Sequence, residues 1–162
     1  MTRFLRQPPI YVLLAALLLI AHAAFYASVM DFDAVDDAYI SFRYAHNAAR
    51  GHGLAFNIGE RRVEGYTNFL WTVMLIPSFW LGLPVHSVSL VLGTVWALGC
   101  LALLWRFGRQ TGGLGWLAPI AALLLAADGS FALWAVGGLE SPLCSFLVFA
   151  GALAYMGEMR DP

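Results

Sequence analysis

The chain has no lysine. Its nine basic side chains are all arginine, set against ten acidic ones, and the formal net charge is −1 at pH 7. That balance excludes nucleic acid as a partner, because a phosphate backbone is held by a clustered surplus of cations. Charged residues make up only 12% of the 162 residues, about half the share of a soluble domain. Hydrophobic residues reach 60% and mean hydropathy is +0.73, so the lipid bilayer is the medium for most of this chain. Cysteine is scarce. Cys100 and Cys144 lie in apolar runs and read as buried small hydrophobes, neither a disulfide framework nor a structural metal set, which needs four ligands. No P-loop, G-x-G-x-x-G, zinc-ligand spacing, nucleophile elbow or internal repeat is present in the sequence, and Gly112-Gly113 reads as a loop.

What the chain does have is a series of apolar runs. Residues 1–9, with Arg3 and Arg6, read as a cytoplasmic tail by the positive-inside tendency. Residues 10–30 form a first span interrupted only by His22, a tolerated helix residue. Ala21-His22-Ala23 has the form of a signal-cleavage site, but the apolar run continues to Met30, so an uncleaved anchor is expected. Residues 85–107, 114–127 and 141–157 read as further spans, the middle one short. Asp128-Gly129-Ser130 and the stretch WAVGGLESPL, Trp134 to Leu143, read as the connector before the last span.

Residues 69–83 are apolar and aromatic, with Pro77 inside. If they cross the bilayer, Arg106 and Arg109 lie outside and Glu140 inside. If they rest as a kinked helix at the outer interface, Arg3, Arg6, Arg106, Arg109 and Arg160 are all cytoplasmic, and Asp128 and Glu140 join the outer loop. The second arrangement obeys the positive-inside rule at every junction, and Trp71 and Trp80 suit an interface, so it is the one expected. The fold class is all-α: a polytopic membrane helical bundle of about four transmembrane helices, with juxtamembrane helices in a first outer loop, 31–84. Residues 1–162 form a single module. The apolar run that ends at Arg160-Asp161-Pro162 without a closing domain reads as the N-terminal piece of a longer protein.

The long polar stretch is Asp31 to Asn68. It gathers six of the ten acidic residues (Asp31, Asp33, Asp36, Asp37, Glu60, Glu64) and four of the nine arginines (Arg43, Arg50, Arg61, Arg62). Asp36 or Asp37 can start a helix running to Arg50 with Ile40, Tyr44 and Ala48 on one stripe, and Gly51-His52-Gly53 ends it. Phe56 to Glu60 reads as a turn and Arg61 to Thr67 as irregular backbone. Two adjacent carboxylates repel. One reading is a helix cap with favourable first-turn charge, worth about 1 kcal/mol. The other is a general base for a hydroxyl, or a metal-binding carboxylate. A helix N-terminus lowers a carboxylate's pKa, whereas burial or a neighbouring Asp raises it. Glu140 has two readings as well, a first-turn charge ahead of Pro142 or a carboxylate facing an internal cavity. Arg43 lies two turns after Asp36, on the same face, placed to pair with the acids or bind a phosphate. Arg61, Arg62 and Glu64 fit a solvated turn. His46 and His52 have two readings, as ligands or proton shuttles and, each taken alone, as surface histidines.

Together, DDAYISFRYAHN, GHGLAFN, ERRVEGYTNFLW and GLESPL resemble membrane glycosyltransferases of the GT-C superfamily. Within it they look most like the bacterial branch that includes the terminal arabinofuranosyltransferases of cell-wall assembly. The resemblance implies transfer of a sugar from a polyprenyl-phosphate-linked donor to a glycan or lipid acceptor, outside the bacterial cytoplasmic membrane, with inversion. Asp36 or Asp37 would then be the catalytic base, and Glu140 would steady the base, the acceptor or a divalent cation. Those three carboxylates are the candidate ligands for such a cation, the one cofactor implied. Arg43 is the implied partner of the donor phosphate. Tyr39, Glu64, Tyr66 and Asn68, within the matching blocks, are candidate substrate-binding residues. Two other classes remain: a catalytically silent membrane scaffold, and a small proton- or ion-coupled transporter subunit. A transporter would favour acids in mid-span.

Overall fold

The computed structural model describes residues 10–31, 33–110 and 116–159. The tail with Arg3 and Arg6, positions 114 and 115 of the expected third span, and the terminal Arg160 and Asp161 lie outside the described residues. Among the described residues the elements are all helices: α1 (Ile10–Val29), α2 (Ala38–Ala49), α3 (Phe69–Trp80), α4 (Val85–Gln110), α5 (Leu117–Ala127), α6 (Gly129–Val136) and α7 (Ser141–Glu158). The protein is a polytopic helical membrane bundle. α1, α4 and α7 are each long and apolar enough to cross a bilayer. α5 has 11 residues, a rise of about 16 Å against a hydrocarbon core of ~30 Å. α5 and α6 together are long and apolar enough to count as a fourth candidate, a pair bent by 61° that has the form of a broken span or of a re-entrant loop.

α6 is the element absent from the sequence reading, because Asp128-Gly129-Ser130 interrupts the apolar run and looks like a connector. In the structure Asp128 ends α5, and its carboxylate starts α6 by accepting from the backbone N–H of Phe131 at 2.6 Å. Asp128 therefore sits at the break, one eight-residue helix away from Gly137. His22 closes the other side of the break. Its Nδ1 donates to the Ala126 carbonyl at 3.0 Å, a group that the end of α5 leaves without an intrahelical partner. The histidine expected to be merely tolerated is thus part of the break.

The core between the spans is built from Ala15, Leu19, Ala97, Leu101, Ala122, Ala126, Ala132 and Ala135. Lipid tails are as apolar as leucine, so spans gain by close backbone approach, which small residues permit. At Gly93 the approach is tightest: a Cβ there would lie 2.2 Å from the Ala135 carbonyl oxygen of α6. Gly93→Ala therefore tests the packing. Helix propensity favours alanine by about 1 kcal/mol. Overpacking costs ~1–3 kcal/mol, and here the obstacle is backbone, which cannot rotate aside. The clash is expected to win, lowering the heat-aggregation midpoint of the detergent-purified protein. A raised midpoint would show that α4 and α6 separate freely.

α2 and α3 pack together as a hairpin at one end of the bundle. The 12 residues of α3 rise about 18 Å, well short of the ~30 Å hydrocarbon core. The indole N–H of Trp80 donates to the Ala49 carbonyl at 3.0 Å and ties the end of α3 to the end of α2. The buried face of α2 carries Ala38, Ser41, Phe42, Tyr44, Ala45 and Asn47. The predicted stripe is off by a rotation, since Ile40 is exposed. Ser41 and Asn47 are buried because neighbouring segments supply hydrogen-bond partners, which a hydrophobic pattern does not register. Trp71, expected at an interface, is only 1% exposed and belongs to the core with Ala38, Phe42, Ala45, Leu75 and Leu143. Of the two cysteines expected to be buried, Cys100 is buried and Cys144 is exposed.

Candidate functional site

The polar stretch folds around α2. Residues 53–60 are drawn against it by Arg43 and Asn47. Arg43 Nε donates to the Phe56 carbonyl at 2.7 Å and Nη2 to Asn57 Oδ1 at 2.6 Å, with the guanidinium 4.3 Å from the centre of the Phe56 ring. Asn47 Nδ2 donates to the Ala55 carbonyl at 2.7 Å. The following segment, VEGYTN, is anchored by Tyr44. Its hydroxyl donates to the Val63 carbonyl at 2.8 Å and accepts from the Gly65 N–H at 3.1 Å. Tyr66 packs edge-on against the same ring, centroids 4.9 Å apart.

These contacts leave a cleft of about 450 Å³ on one face of α2, lined by Asp36, Tyr39, Ile40, Phe42, Arg43, His46, Phe56, Phe79 and Val85. Asp36, Tyr39, Arg43 and His46 recur at three- and four-residue steps, so a helix stacks them in a column. Asp36 stands at the start of the column and Arg43 about 10 Å of helical rise along it. His46 lies edge-on to Phe79, 5.2 Å between centroids. The walls are therefore aromatic and the two ends carry opposite charge.

Asp37 is one residue on, which turns it about 100° around the axis and out of this column. It holds the N-cap position of α2, yet its side chain makes no capping hydrogen bond. At Asp37 the capping explanation thus lacks its bond. Four residues after Asp37, on its side of the helix, Ser41 begins a second cluster. Asn68 Nδ2 donates to Ser41 Oγ at 2.9 Å and to Glu140 Oε2 at 2.8 Å, and Asn68 Oδ1 accepts from Thr72 Oγ1 at 3.2 Å. Asn68 is 72 positions from Glu140 in sequence, and the fold joins them.

Around this cluster the GLESPL turn is fixed to the start of α2. Val35 N–H donates to the Gly137 carbonyl at 3.0 Å, and Trp71 Nε1 donates to the Gly138 carbonyl at 2.9 Å. Gly138 has φ +89°, and a Cβ there would lie 2.8 Å from Ala34 Cβ and 2.9 Å from Ala38 Cβ. Glycine is required on both counts.

Asp33 escaped the sequence reading. Its carboxylate accepts from the Tyr39 hydroxyl, and from the Ala34 N–H at 2.8 Å. These bonds, the tyrosine's first, hold Asp33 below the ordinary carboxylate pKa. The same bond raises Tyr39, helped by the charges of Asp33 and Asp36. Because the folded pKa is depressed, the charged Asp33 carboxylate with its bond from the neutral Tyr39 hydroxyl is fully present above the ordinary value and is lost only as pH falls through the lowered one. Tyr39→Phe is expected to move the Asp33 titration back up toward the ordinary carboxylate value, read by carboxyl-carbon NMR. An unmoved titration would assign the shift to the backbone contact instead.

The structure thus brings the predicted residues into two groups, Asp36, Tyr39 and Arg43 in the cleft and Asn68 with Glu140 behind α2. Glu64 is exposed and lines neither, and Tyr66 supports the loop. Asp36, Asp37 and Glu140 do not converge: no group of three potential metal ligands forms among the described residues. His46, Phe56 and Phe79 are cleft residues that sequence reasoning missed. Column spacing from Asp36 signalled His46, while the two phenylalanines come from other segments and carry no signal.

No protein-family model matches the chain, and no solved structure does. The chain is 35% identical over 129 residues to the terminal β-(1→2)-arabinofuranosyltransferase of Mycobacterium tuberculosis. The match takes in 75% of this chain and 20% of that protein, so the chain spans about a fifth of its relative's length. That likeness supports a glycosyltransferase relation for this chain.

Proposed function

We propose that the α2 cleft belongs to a glycosyltransferase that moves a sugar from a polyprenyl-phosphate donor to an acceptor hydroxyl. The carrying observation is the column of Asp36, Tyr39, Arg43 and His46 in one aromatic-walled cleft of about 450 Å³. In-line displacement needs a base and a phosphate site on opposite sides of the anomeric carbon. Asp36 and Arg43, about 10 Å apart along the helix, leave room for one sugar ring between them.

Asp36 takes the proton of the acceptor hydroxyl as its oxygen attacks the anomeric carbon. The bond from that carbon to the phosphate oxygen breaks, its electron pair leaves with polyprenyl phosphate, and configuration inverts. Arg43, fixed by Phe56 and Asn57, holds a positive charge where the leaving phosphate develops its own. Phe42, Phe56 and Phe79 give the sugar apolar faces to stack on. Glu140 acts through Asn68 and Ser41 to hold α2, and with it Asp36, against the bundle. This reading puts the loop, α2, α3 and Glu140 on the outer face of a bacterial cytoplasmic membrane, with α3 along the interface.

The test uses membranes carrying the polypeptide that contains this sequence, a polyprenyl-phosphoarabinofuranose donor and an arabinan acceptor. The expected result is a new glycosidic bond of inverted configuration and one polyprenyl phosphate released per transfer. Transfer from a nucleotide sugar in place of the lipid donor would overturn the reading, as would retained configuration.

A further inference from the structure

At the end of α4 remote from α2 lies a larger cavity, about 640 Å³, between α4 and α7. Its walls run from Gly99 to Gln110, about 16 Å along α4, with Phe146 of α7 opposite. A Cβ on Gly99 would lie 2.8 Å from the Phe146 ring, so the inner end is closed by that contact. Ala102, Leu103 and Phe146 make the inner part apolar, and Arg106 and Arg109 make the mouth cationic. Among the described residues no acidic side chain lines it. Glu158, at the C-terminal end of α7, is exposed and outside the lining.

We infer that this cavity binds an anionic phospholipid, its phosphate between Arg106 and Arg109 and one acyl chain along the groove toward Gly99. The polarity of the cavity matches a lipid end to end: charge at the mouth, hydrocarbon within, and a depth suited to part of an acyl chain. Trp105 stands at the junction, with the Arg109 guanidinium 5.3 Å from its ring centre. Trp105 lines the same cavity, so an aromatic ring stands beside the cationic mouth, where the headgroup region of a lipid would lie. Basic pockets between transmembrane helices are suited to anionic headgroups for the same electrostatic reason. The site is independent of the α2 cleft, so it stands or falls apart from the proposed reaction.

Native mass spectrometry of the detergent-purified protein, with phosphatidylglycerol or phosphatidylcholine of the same chains, reads the site directly. Phosphatidylglycerol is expected to stay bound through delipidating conditions that strip phosphatidylcholine. The double variant R106Q/R109Q should weaken its retention at least tenfold, and R61Q/R62Q, an equal loss of charge in the polar loop, should not. Ala102→Phe leaves the arginines in place and fills the groove. It should weaken retention too, and it decides the matter if the double variant fails to fold. Equal retention of phosphatidylcholine, or unchanged retention in Ala102→Phe, would overturn the inference. So would competition by inorganic phosphate alone, which would show an anion site without a lipid chain.

Discussion

Asp36→Asn is expected to lower the turnover of sugar transfer by about 10²–10⁴-fold, the range a positioned general base contributes. The substitution keeps the size of the side chain and removes only the proton acceptor. Asp36 is exposed at the mouth of the cleft, so the heat-aggregation midpoint should stay unchanged. Donor KM should move little, because Arg43 and the aromatic walls remain. Asp37→Asn is expected to cost less than roughly tenfold, since one residue of helix turns it about 100° away from the cleft. Initial rates of polyprenyl-phosphate release for the two variants settle the assignment. The reverse order would move the base to the Ser41–Asn68–Glu140 side of α2. Full activity in both would remove the aspartate pair from the chemistry and favour a silent scaffold.

This contrast shows where the sequence was legible and where it stopped. Composition and long apolar runs identified the bundle, because bilayer thickness imposes a length that α1, α4 and α7 all meet. Clustering of charge identified the stretch around α2, because charge in an oily chain is expensive unless used. The bent α5–α6 pair was not legible. Asp128 reads as the end of a helix, and nothing local says that a second apolar helix follows it at an angle of 61°. Which of Asp36 and Asp37 lines the cleft was equally hidden, since it depends on which face of α2 the rest of the chain covers. That choice is made by Tyr44 and Asn47, which bind loop carbonyls, and by Ser41, which meets Asn68. Polar residues that are buried by long-range hydrogen bonds look like surface in a hydrophobic pattern. Trp71 misled for the related reason that an indole suits either an interface or a core, and only the distant Gly138 carbonyl decides between them.

Trp71 is where the second large effect is expected. Its ring is 1% exposed and joins Ala38, Phe42 and Ala45 of α2 to Leu75 of α3 and Leu143 of α7. Trp71→Ala removes that ring and its hydrogen bond to the Gly138 carbonyl. Core Trp→Ala changes cost about 3–5 kcal/mol. Much of that is lost contact with close-packed neighbours, a loss that applies in a membrane protein as in a soluble one. Trp71→Phe keeps a six-membered aromatic ring and loses the pyrrole part of the indole with its hydrogen bond, so its cost should be smaller, about 1–3 kcal/mol. Heat-aggregation midpoints should therefore fall in the order wild type, Trp71→Phe, Trp71→Ala. Transfer activity should fall in the same order at temperatures where all three remain folded, because Asp36 leads directly into α2, and α2 packs on the bundle through this ring. Equal midpoints for the two variants would place the stabilisation in the pyrrole part of the indole and its hydrogen bond. A folded Trp71→Ala protein with full activity would show that the Asn68–Glu140 contact suffices to hold the cleft.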